Sequence, residues 1–477
     1  MIWLVLIISL ILRLISINQS LWLDEAINVN NVASLDLKSL IGSYALSDFH
    51  PPLYHIILKG WALIFGVSEI TARLPSVLFG IGTVFTTYLI GLKLFEKKTA
   101  LIAATLISTA PLAIYYSQEA RMYSLAAFLA SLTVYFFISL IKKESLPLWL
   151  GFIISASLTL YTDYLPYLLF PAFIIYIYFI RKKIQRAVII GFIPAILLIF
   201  ISLVPWFTLF PKQVNIGLSA AAASPAWAHV VGAPELKNLI ITPVKFTIGR
   251  ISTNNDFIYA IVFAPIAAFL VFLFSLATFR ISHTRSILWY WLFVPIILGF
   301  PLSFFIPVFA YFRFLFVLPA FYLIIASGIN TVNWIKSTRI LLIIILLINL
   351  VSASIYFINP KFQREDWRNA TNYVITNSSS KTITLFESNF TVAPFDYYNR
   401  NRVEAYGALE SFIAEPSFVK QNLLRLTKDK NQVFLFQYLS TITDPQGLVS
   451  RELFNLGFTN TSIKDFYGVG FIYEFMK

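Results

Sequence analysis

The sequence predicts a polytopic α-helical membrane protein of about eleven spans, followed by a C-terminal extracytoplasmic α/β domain. Three observations carry this. Of 477 residues, 58% are hydrophobic and only 12% charged, with a mean hydropathy of +0.76, and no soluble domain of this size buries so much apolar surface. The apolar residues come in runs of the length that crosses a bilayer, about 17–25 residues each. After Asn359 the runs stop, and mixed charge with Asn, Ser and Thr turns replaces them.

The runs fall at 1–17, 74–92, 99–116, 123–141, 147–162, 164–180, 187–210, 256–279, 286–309, 314–331 and 340–358. The first lacks the basic start and small-residue cleavage site of a secretory signal, so it reads as an uncleaved span. Every second loop is basic: Lys93/Lys97/Lys98, Lys142/Lys143, Arg181/Lys182/Lys183/Arg186, Arg280/Arg285 and Lys336/Arg339. Cytoplasmic loops carry such an excess. The N-terminus is therefore expected inside, the chain multi-pass in the cell membrane, and the C-terminal domain outside. The net charge of +13 then reflects topology and calls for no nucleic acid.

The expected domains are a membrane domain, 1–358, with outer loops 18–73 and 211–255, and a soluble domain, 359–477. In the latter, Thr382–Phe386, Gln432–Gln437 and Phe471–Phe475 read as strands, and Trp367–Thr376 and Leu448–Leu456 as helices. Segment 53–66 is too short to span, and Lys59 with its aromatic residues predicts a helix lying in the interface. Ser219–Ala228, rich in Ala and Ser, reads as a flexible loop, and the whole stretch 211–255 suits a lid. The absence of cysteine excludes thiolate catalysis and Cys-based metal sites; a metal would have to use carboxylates or the four histidines.

The unusual polar residues gather in the outer loops. Asp24 and Glu25 are adjacent carboxylates just after the first span, beside Trp22. Neighbours on a helix point about 100° apart, so one acid would face a cavity and the other orient it; the structural alternative is that Asp24 N-caps a helix beginning at Glu25. Asp48 and His50, before Pro51-Pro52, are candidates for binding substrate or a metal, or His50 is a turn histidine with no task. Arg73, opening the second span before Pro75, binds substrate or snorkels. The link Ser117–Tyr123 carries Glu119 and Arg121, suited to holding a sugar and its phosphate, or to forming a surface ion pair of under about 1 kcal/mol. Asp163 interrupts an apolar hairpin, and Arg313 precedes the tenth span. Ionisable groups from five separate outer loops point to one converging cavity.

These residues lie in ordered segments that resemble the GT-C superfamily of membrane glycosyltransferases, in the branch of protein O-mannosyltransferases and the lipid A aminoarabinose transferase. The segments are LWLDEA at 21–26, HPPLYHIILKGWALIFGVSEITARLPSVLFG at 50–80, YYSQEARMYSL at 115–125, YTDYLPYL at 161–168, FRFLFVLPA at 312–320 and REDWRNATNYV at 364–374. The resemblance implies transfer of a sugar from a polyprenyl-phosphate carrier to an extracytoplasmic acceptor, whether protein, lipid or glycan. It carries the general base of the first outer loop onto Asp24, with Glu25 as its neighbour. An acceptor hydroxyl must lose a proton as it attacks, which a carboxylate accepts, with inversion. The leaving phosphate needs positive charge, offered by Arg121, Arg313 and Arg73. Glu119 would position sugar or acceptor, and His50, Tyr123 and Asp163 complete the substrate-binding candidates. Relatives often have His where Asp163 stands, and Tyr where Phe314 follows Arg313. Some superfamily members use a divalent metal, so a metal is a possible cofactor with no ligand set assigned. The rival reading is a lipid-linked-sugar flippase or a non-catalytic assembly subunit. Transporters, however, place ionisable groups at mid-membrane and repeat their halves, whereas here the spans carry essentially no charge apart from Arg13 near the end of the first, and no halves repeat.

Overall fold

The structure is a computed structural model that describes residues 1–223, 232, 234–253, 255–332, 334–409 and 416–477. The chain divides into two compact units: Met1–Ile17, Asp36–Val214 and Val231–Ile358 form the first, and Asn18–Leu35, Asn215–Val230 and Asn359–Lys477 the second.

The first unit is helical throughout, as an apolar chain must be where lipid leaves backbone groups no other partner. Seven helices among the described residues have the length and hydropathy of a span: Glu69–Leu94, Tyr123–Lys142, Leu165–Lys183, Arg186–Phe207, Asp256–Thr278, Tyr311–Ile329 and Ile335–Ile358. Lys97–Thr109 and Pro111–Ser117 make an eighth if counted together across their 58° bend. The remaining predicted runs form the shorter apolar helices Ile2–Leu14, Leu146–Leu160 and Ile287–Leu302. The interfacial segment is the helix Leu53–Phe65, with Leu63, Ile64 and Phe65 exposed at its end.

Two prolines shape this unit in opposite ways. The second span starts at Glu69, earlier than expected, on a capping box of Ser68 and Thr71. Pro75 therefore lies inside the helix and leaves the carbonyl of Thr71 without its usual donor; the Trp61 indole donates to it at 2.9 Å. Pro111 instead stops the third run. Ala110 is extended, as the residue before proline prefers, and the chain turns by 58°. Two carbonyls freed at the break are met by distant side chains: Arg13 Nη1 donates to Ser108 O at 3.1 Å and Asn349 Nδ2 to Leu106 O at 3.0 Å.

Of the outer stretch 211–255, Phe210–Ala223 and Leu236–Ile248 are helices. The expected loop Ser219–Ala228 is thus helical as far as Ala223, and its residues 224–228 lie outside the described residues.

The second unit is built on a five-stranded sheet of β1 (Thr382–Phe386), β2 (Ala405–Gly407), β3 (Gln432–Phe436), β4 (Thr459–Phe466) and β5 (Gly470–Met476), in the order β2-β1-β3-β5-β4. β1 pairs in parallel with β2 and β3, whereas β5 runs antiparallel to β3 and β4. β1 and β3 are buried along their whole length, and β4 is the exposed polar edge, the usual division between inner and edge strands. Trp367 packs on one face of the sheet, stacked 5.8 Å from Phe436. Val419, Leu423, Val449 and Leu453 cover the other.

Two stretches group differently from expectation, Asn18–Leu35 and Asn215–Val230. Residues 18–35 belong to the second unit, not to an outer loop of the membrane domain. Leu23 packs on the Trp367 core, Leu21 N donates to Tyr398 Oη at 2.8 Å, and Asn30 Nδ2 to Ala393 O at 3.0 Å.

Close helix packing at Gly328 makes a testable point. A Cβ there would fall against the Leu273 carbonyl. Gly328→Ala is expected to cost about 1–3 kcal/mol, while Gly60→Ala, which meets nothing within 4 Å, should be neutral or stabilising by up to about 1 kcal/mol; thermal unfolding of the detergent-purified variants checks the contrast.

Candidate functional site

Asp48 centres the first polar cluster of the membrane-spanning unit. The chain reaches it through the helical turns Leu40–Tyr44 and Ala45–Ser47, then reverses at Phe49, which holds a left-handed φ of 60°. A side chain in that region is strained, and such strain persists only where surrounding contacts impose it. The reversal brings His50 back onto Asp48, and Pro51-Pro52 starts the helix that carries His55. Asp48 Oδ1 lies 2.5 Å from Arg121 Nη1, and Oδ2 lies 3.2 Å from His50 Nδ1 and 3.3 Å from His55 Nε2. Burial alone would raise the Asp48 carboxyl; Arg121 and the two imidazoles outweigh it and hold Asp48 well below the usual carboxylate range. His50 Nδ1 also sits 2.7 Å from the Asp48 carbonyl, which makes Nδ1 the protonated nitrogen.

Other loops are tied to this cluster. Ser76 Oγ donates to Arg121 O at 3.4 Å and pairs with Tyr54 Oη at 2.9 Å. Leu53 N donates to Tyr161 O at 3.1 Å. Gln213 donates to Ala45 O at 2.8 Å and to His50 O at 3.3 Å, and accepts from the Tyr164 hydroxyl. Asp163 is buried, accepts from Tyr164 N at 2.7 Å, and has its carboxyl raised by burial against the opposing charges of His50 and Arg313. Arg313 donates from Nη1 to Pro307 O at 3.3 Å, and its Nε has no partner among the described residues.

A second cluster pairs cations with tyrosines. Arg250, exposed just past the end of helix Leu236–Ile248, donates to the Tyr115 hydroxyl and stacks 4.7 Å over that ring. Lys245 donates to Ile251 O at 2.6 Å and lies 5.5 Å from the rings of Tyr259 and Tyr311. Neither cation forms an ion pair among the described residues. Tyr123 closes the aromatic wall, 5.1 Å from Tyr116 and 5.4 Å from Phe312. Glu119, buried in the turn before Tyr123, acts by its charge on Arg250, Tyr116 and Tyr311, so the 117–123 link touches both clusters.

Several expectations change here. Arg121 is no surface partner of Glu119; it is buried on Asp48. Arg73 does not snorkel: it is 1% exposed and donates to Ile17 O at 2.8 Å. His55, Gln213, Lys245 and Arg250 went unnoticed in the sequence, His55 because it lies inside an apolar helix and the others because 211–255 read only as a lid. The signal was present in Gly249-Arg250, a glycine at φ 66° after a helix end, which is where a chain turns to present a side chain.

In the second unit, Asp24 and Glu25 occupy the first turn of helix Leu23–Ser34, whose N-cap is Trp22 without a side-chain cap bond. Asp24 is therefore not the cap. Glu25 is fully buried and Asp24 half-buried, as adjacent positions on a helix dictate. Both favour the helix dipole as carboxylates. Tyr438 donates to Glu365 at 3.0 Å, and its hydroxyl is raised by burial and then by the charges of Glu365 and Asp24.

A divalent metal finds no ready cradle among the described residues, which hold no metal-binding group of three His, Asp or Glu. At Asp48 the Arg121 guanidinium stands where a cation would be drawn, so that donor set does not fit a metal.

The buried pair is testable. Arg121→Ala would leave Asp48 charged without its strongest partner, at about 3–5 kcal/mol. Asp48 contributes stability above its unfolded pKa and loses it only as acid protonates it, so the cost should be full at neutral pH and shrink on acidification. Unfolding of single and double Asp48→Asn/Arg121→Ala variants against pH checks both.

Comparison with known proteins follows the same lines. Residues 49–207 match the family described as dolichyl-phosphate-mannose-protein mannosyltransferase. No curated protein matches the chain. Among solved structures, ArnT from Cupriavidus metallidurans in the apo state is similar at 10% identity, TM-score 0.58, over 99% of this chain and 97% of that one. The same protein bound to undecaprenyl phosphate gives 10% and 0.57 over the same shares. The oligosaccharyltransferase AglB from Archaeoglobus fulgidus, in complex with an inhibitory peptide and a dolichol-phosphate, gives 12% and 0.54 over 99% of this chain and 74% of that one. The family match covers residues 49–207, a third of the chain, and the solved structures share its fold over nearly its whole length.

Proposed function

We propose that the protein transfers a sugar from a polyprenyl-phosphate carrier to an acceptor hydroxyl on the extracytoplasmic face, with inversion. The carrying observation is the Lys245–Arg250 cluster: two cations without ion-pair partners among the described residues, one of them exposed, set in a wall of tyrosines. Such a wall suits a phosphate joined to a sugar, because charge meets the phosphate while aromatic faces meet the ring. The lipids bound in the similar ArnT and AglB structures, undecaprenyl phosphate and a dolichol-phosphate, support the same carrier class.

In this reading an acceptor hydroxyl gives its proton to a carboxylate as its oxygen attacks the anomeric carbon, a role that the family resemblance carries onto Asp24. The bond from that carbon to the phosphate oxygen breaks on the opposite face, and the electron pair stays on the phosphate. The leaving phosphate gains one negative charge, which Lys245 and Arg250 stabilise. Asp24 suits the base because it is half-buried in the first turn of a helix, where the dipole favours a carboxylate, and Glu25 beneath it holds the turn. Arg121 is spent on Asp48, so its part is to fix the 117–123 link, from which Glu119 reaches the sugar. Arg313, His50, Asp163 and Tyr123 line the donor side, and Arg73 anchors the second span. The basic alternate loops support a reading with the N-terminus inside and the reaction outside. The acceptor class is a protein, lipid or glycan.

Asp24→Asn is expected to lower transfer by about 10²–10⁴-fold with unchanged melting and donor binding; transfer at the wild-type rate would refute the base. A second outcome concerns pH. Burial lowers the Lys245 ammonium to about 8, so its charge is present below that pH and lost above it. The donor KM should rise as pH passes about 8, and Lys245→Arg, which stays charged, should flatten the profile; steady-state kinetics from neutral to alkaline pH measures both.

A further inference from the structure

The opposite, basic ends of the spans carry a site that sugar transfer does not use. A shallow cleft opens there, lined by Phe95, Arg280, Ile281, Arg285, Trp289 and Ser327 among others. Its two arginines are in different states. Arg280 forks onto Glu96, with Nη1 and Nη2 at 3.0 and 3.3 Å from the two carboxylate oxygens, so its charge is matched. Arg285 has no carboxylate partner among the described residues. It is nevertheless held in place: Nε donates to Leu94 O at 3.0 Å, Nη1 to Arg280 O at 3.2 Å, and the guanidinium lies 4.8 Å over the Phe95 ring. This leaves Nη2 without a partner among the described residues, on a pre-organised planar cation at the cleft wall. The Ser327 hydroxyl likewise has no hydrogen-bond partner among the described residues.

The surroundings restrict what would bind. Phe279 and Ile281 are exposed, and Trp289 lines the cleft beside a partner ring, Phe293, at 5.8 Å. The ligand must therefore be apolar next to its charge. Lys93, Lys97, Lys98, Lys142 and Lys143 lie in the neighbouring loops, and the 142–143 loop touches the 93–98 loop through the Lys142 ammonium on the Lys93 carbonyl, so the local field favours an anion. Basic pockets between spans on this side of a membrane hold phosphate head groups.

We propose that this cleft binds the phosphate head group of a membrane lipid, with Arg285 Nη2 and the Ser327 hydroxyl donating to its oxygens and the chain lying over Ile281 and Trp289. The shared chemistry is a phosphate on a lipid chain, whether a phospholipid diester or a polyprenyl phosphate monoester. Native mass spectrometry of the full-length protein in detergent would titrate phosphatidylglycerol, polyprenyl phosphate, zwitterionic phosphatidylcholine and inorganic phosphate. Both anionic lipids are expected to bind, the preferred one naming the physiological source, with phosphatidylcholine and inorganic phosphate at least tenfold weaker. Arg285→Gln should weaken the anionic lipids by tenfold or more, and Lys336→Gln, an exposed basic residue outside the cleft, should leave them unchanged. Equal loss in both variants would mean a diffuse charge effect and overturn the site, as would equal binding of phosphatidylcholine. Should Arg285→Gln fail to fold, photo-crosslinking of wild-type protein by an anionic lipid bearing a chain-borne diazirine decides. Adducts at Ile281 or Trp289 support the site, and adducts confined elsewhere refute it.

Discussion

The membrane-spanning unit depends on how it repairs the break at Pro111. A helix interrupted in lipid leaves carbonyls that no water reaches, and each would cost several kcal/mol. Arg13 from the first helix and Asn349 from the last span supply the missing donors, at Ser108 and Leu106. The guanidinium does more than cap: it also holds Ser9 Oγ of its own helix at 2.6 Å and, past the bend, Ser117 Oγ at 3.0 Å. One residue further on, Gln118 donates to the carbonyls of Arg13 and Ile15 at 2.9 and 2.6 Å and accepts from Tyr356 at 2.8 Å. The bend is thereby fixed in a single direction, and the link that follows it delivers Glu119, Arg121 and Tyr123 together. An unbroken third span would have carried these residues elsewhere.

The two polar clusters joined by that link divide the labour by their chemistry. His55 and Arg121 are buried and Asp48 and His50 largely so, the arrangement of a brace: pulling a partner away strands the Asp48 charge in a poor dielectric. Lys245 and Arg250 are the reverse, cations set among tyrosine rings with no ion-pair partner among the described residues. Sequence alone could not make the distinction, because an arginine held by a carboxylate and one awaiting a phosphate look identical in a string of letters.

That limit defines what was legible. The eleven apolar runs became helices because hydropathy and length are local properties of the chain, and the inner strands Thr382–Phe386 and Gln432–Phe436 announced themselves by unbroken burial-type residues. Strand Thr459–Phe466 did not, since TNTSIKDF is polar and gains its place only by pairing along Gly470–Met476. The grouping of 18–35 with the C-terminal unit rests on contacts such as Asn30 to Ala393, more than 300 residues apart, which no local pattern encodes. Among site residues, Asp24, Glu119 and Arg121 stood out as charges beside apolar runs. Lys245 and Arg250 stood in a stretch whose composition suggested only a loop, and their meaning came from tyrosines distant in sequence.

The proposed reaction breaks a sugar–phosphate bond, and the direct measurement follows that bond. Purified protein in liposomes would be given polyprenyl-phosphate sugars labelled at the anomeric carbon, with a membrane extract supplying acceptors. Label should leave the lipid pool, appear on an acceptor hydroxyl with inverted anomeric configuration, and release free polyprenyl phosphate in equal amount. Label that crosses the bilayer still attached to its lipid, with none transferred, would contradict it.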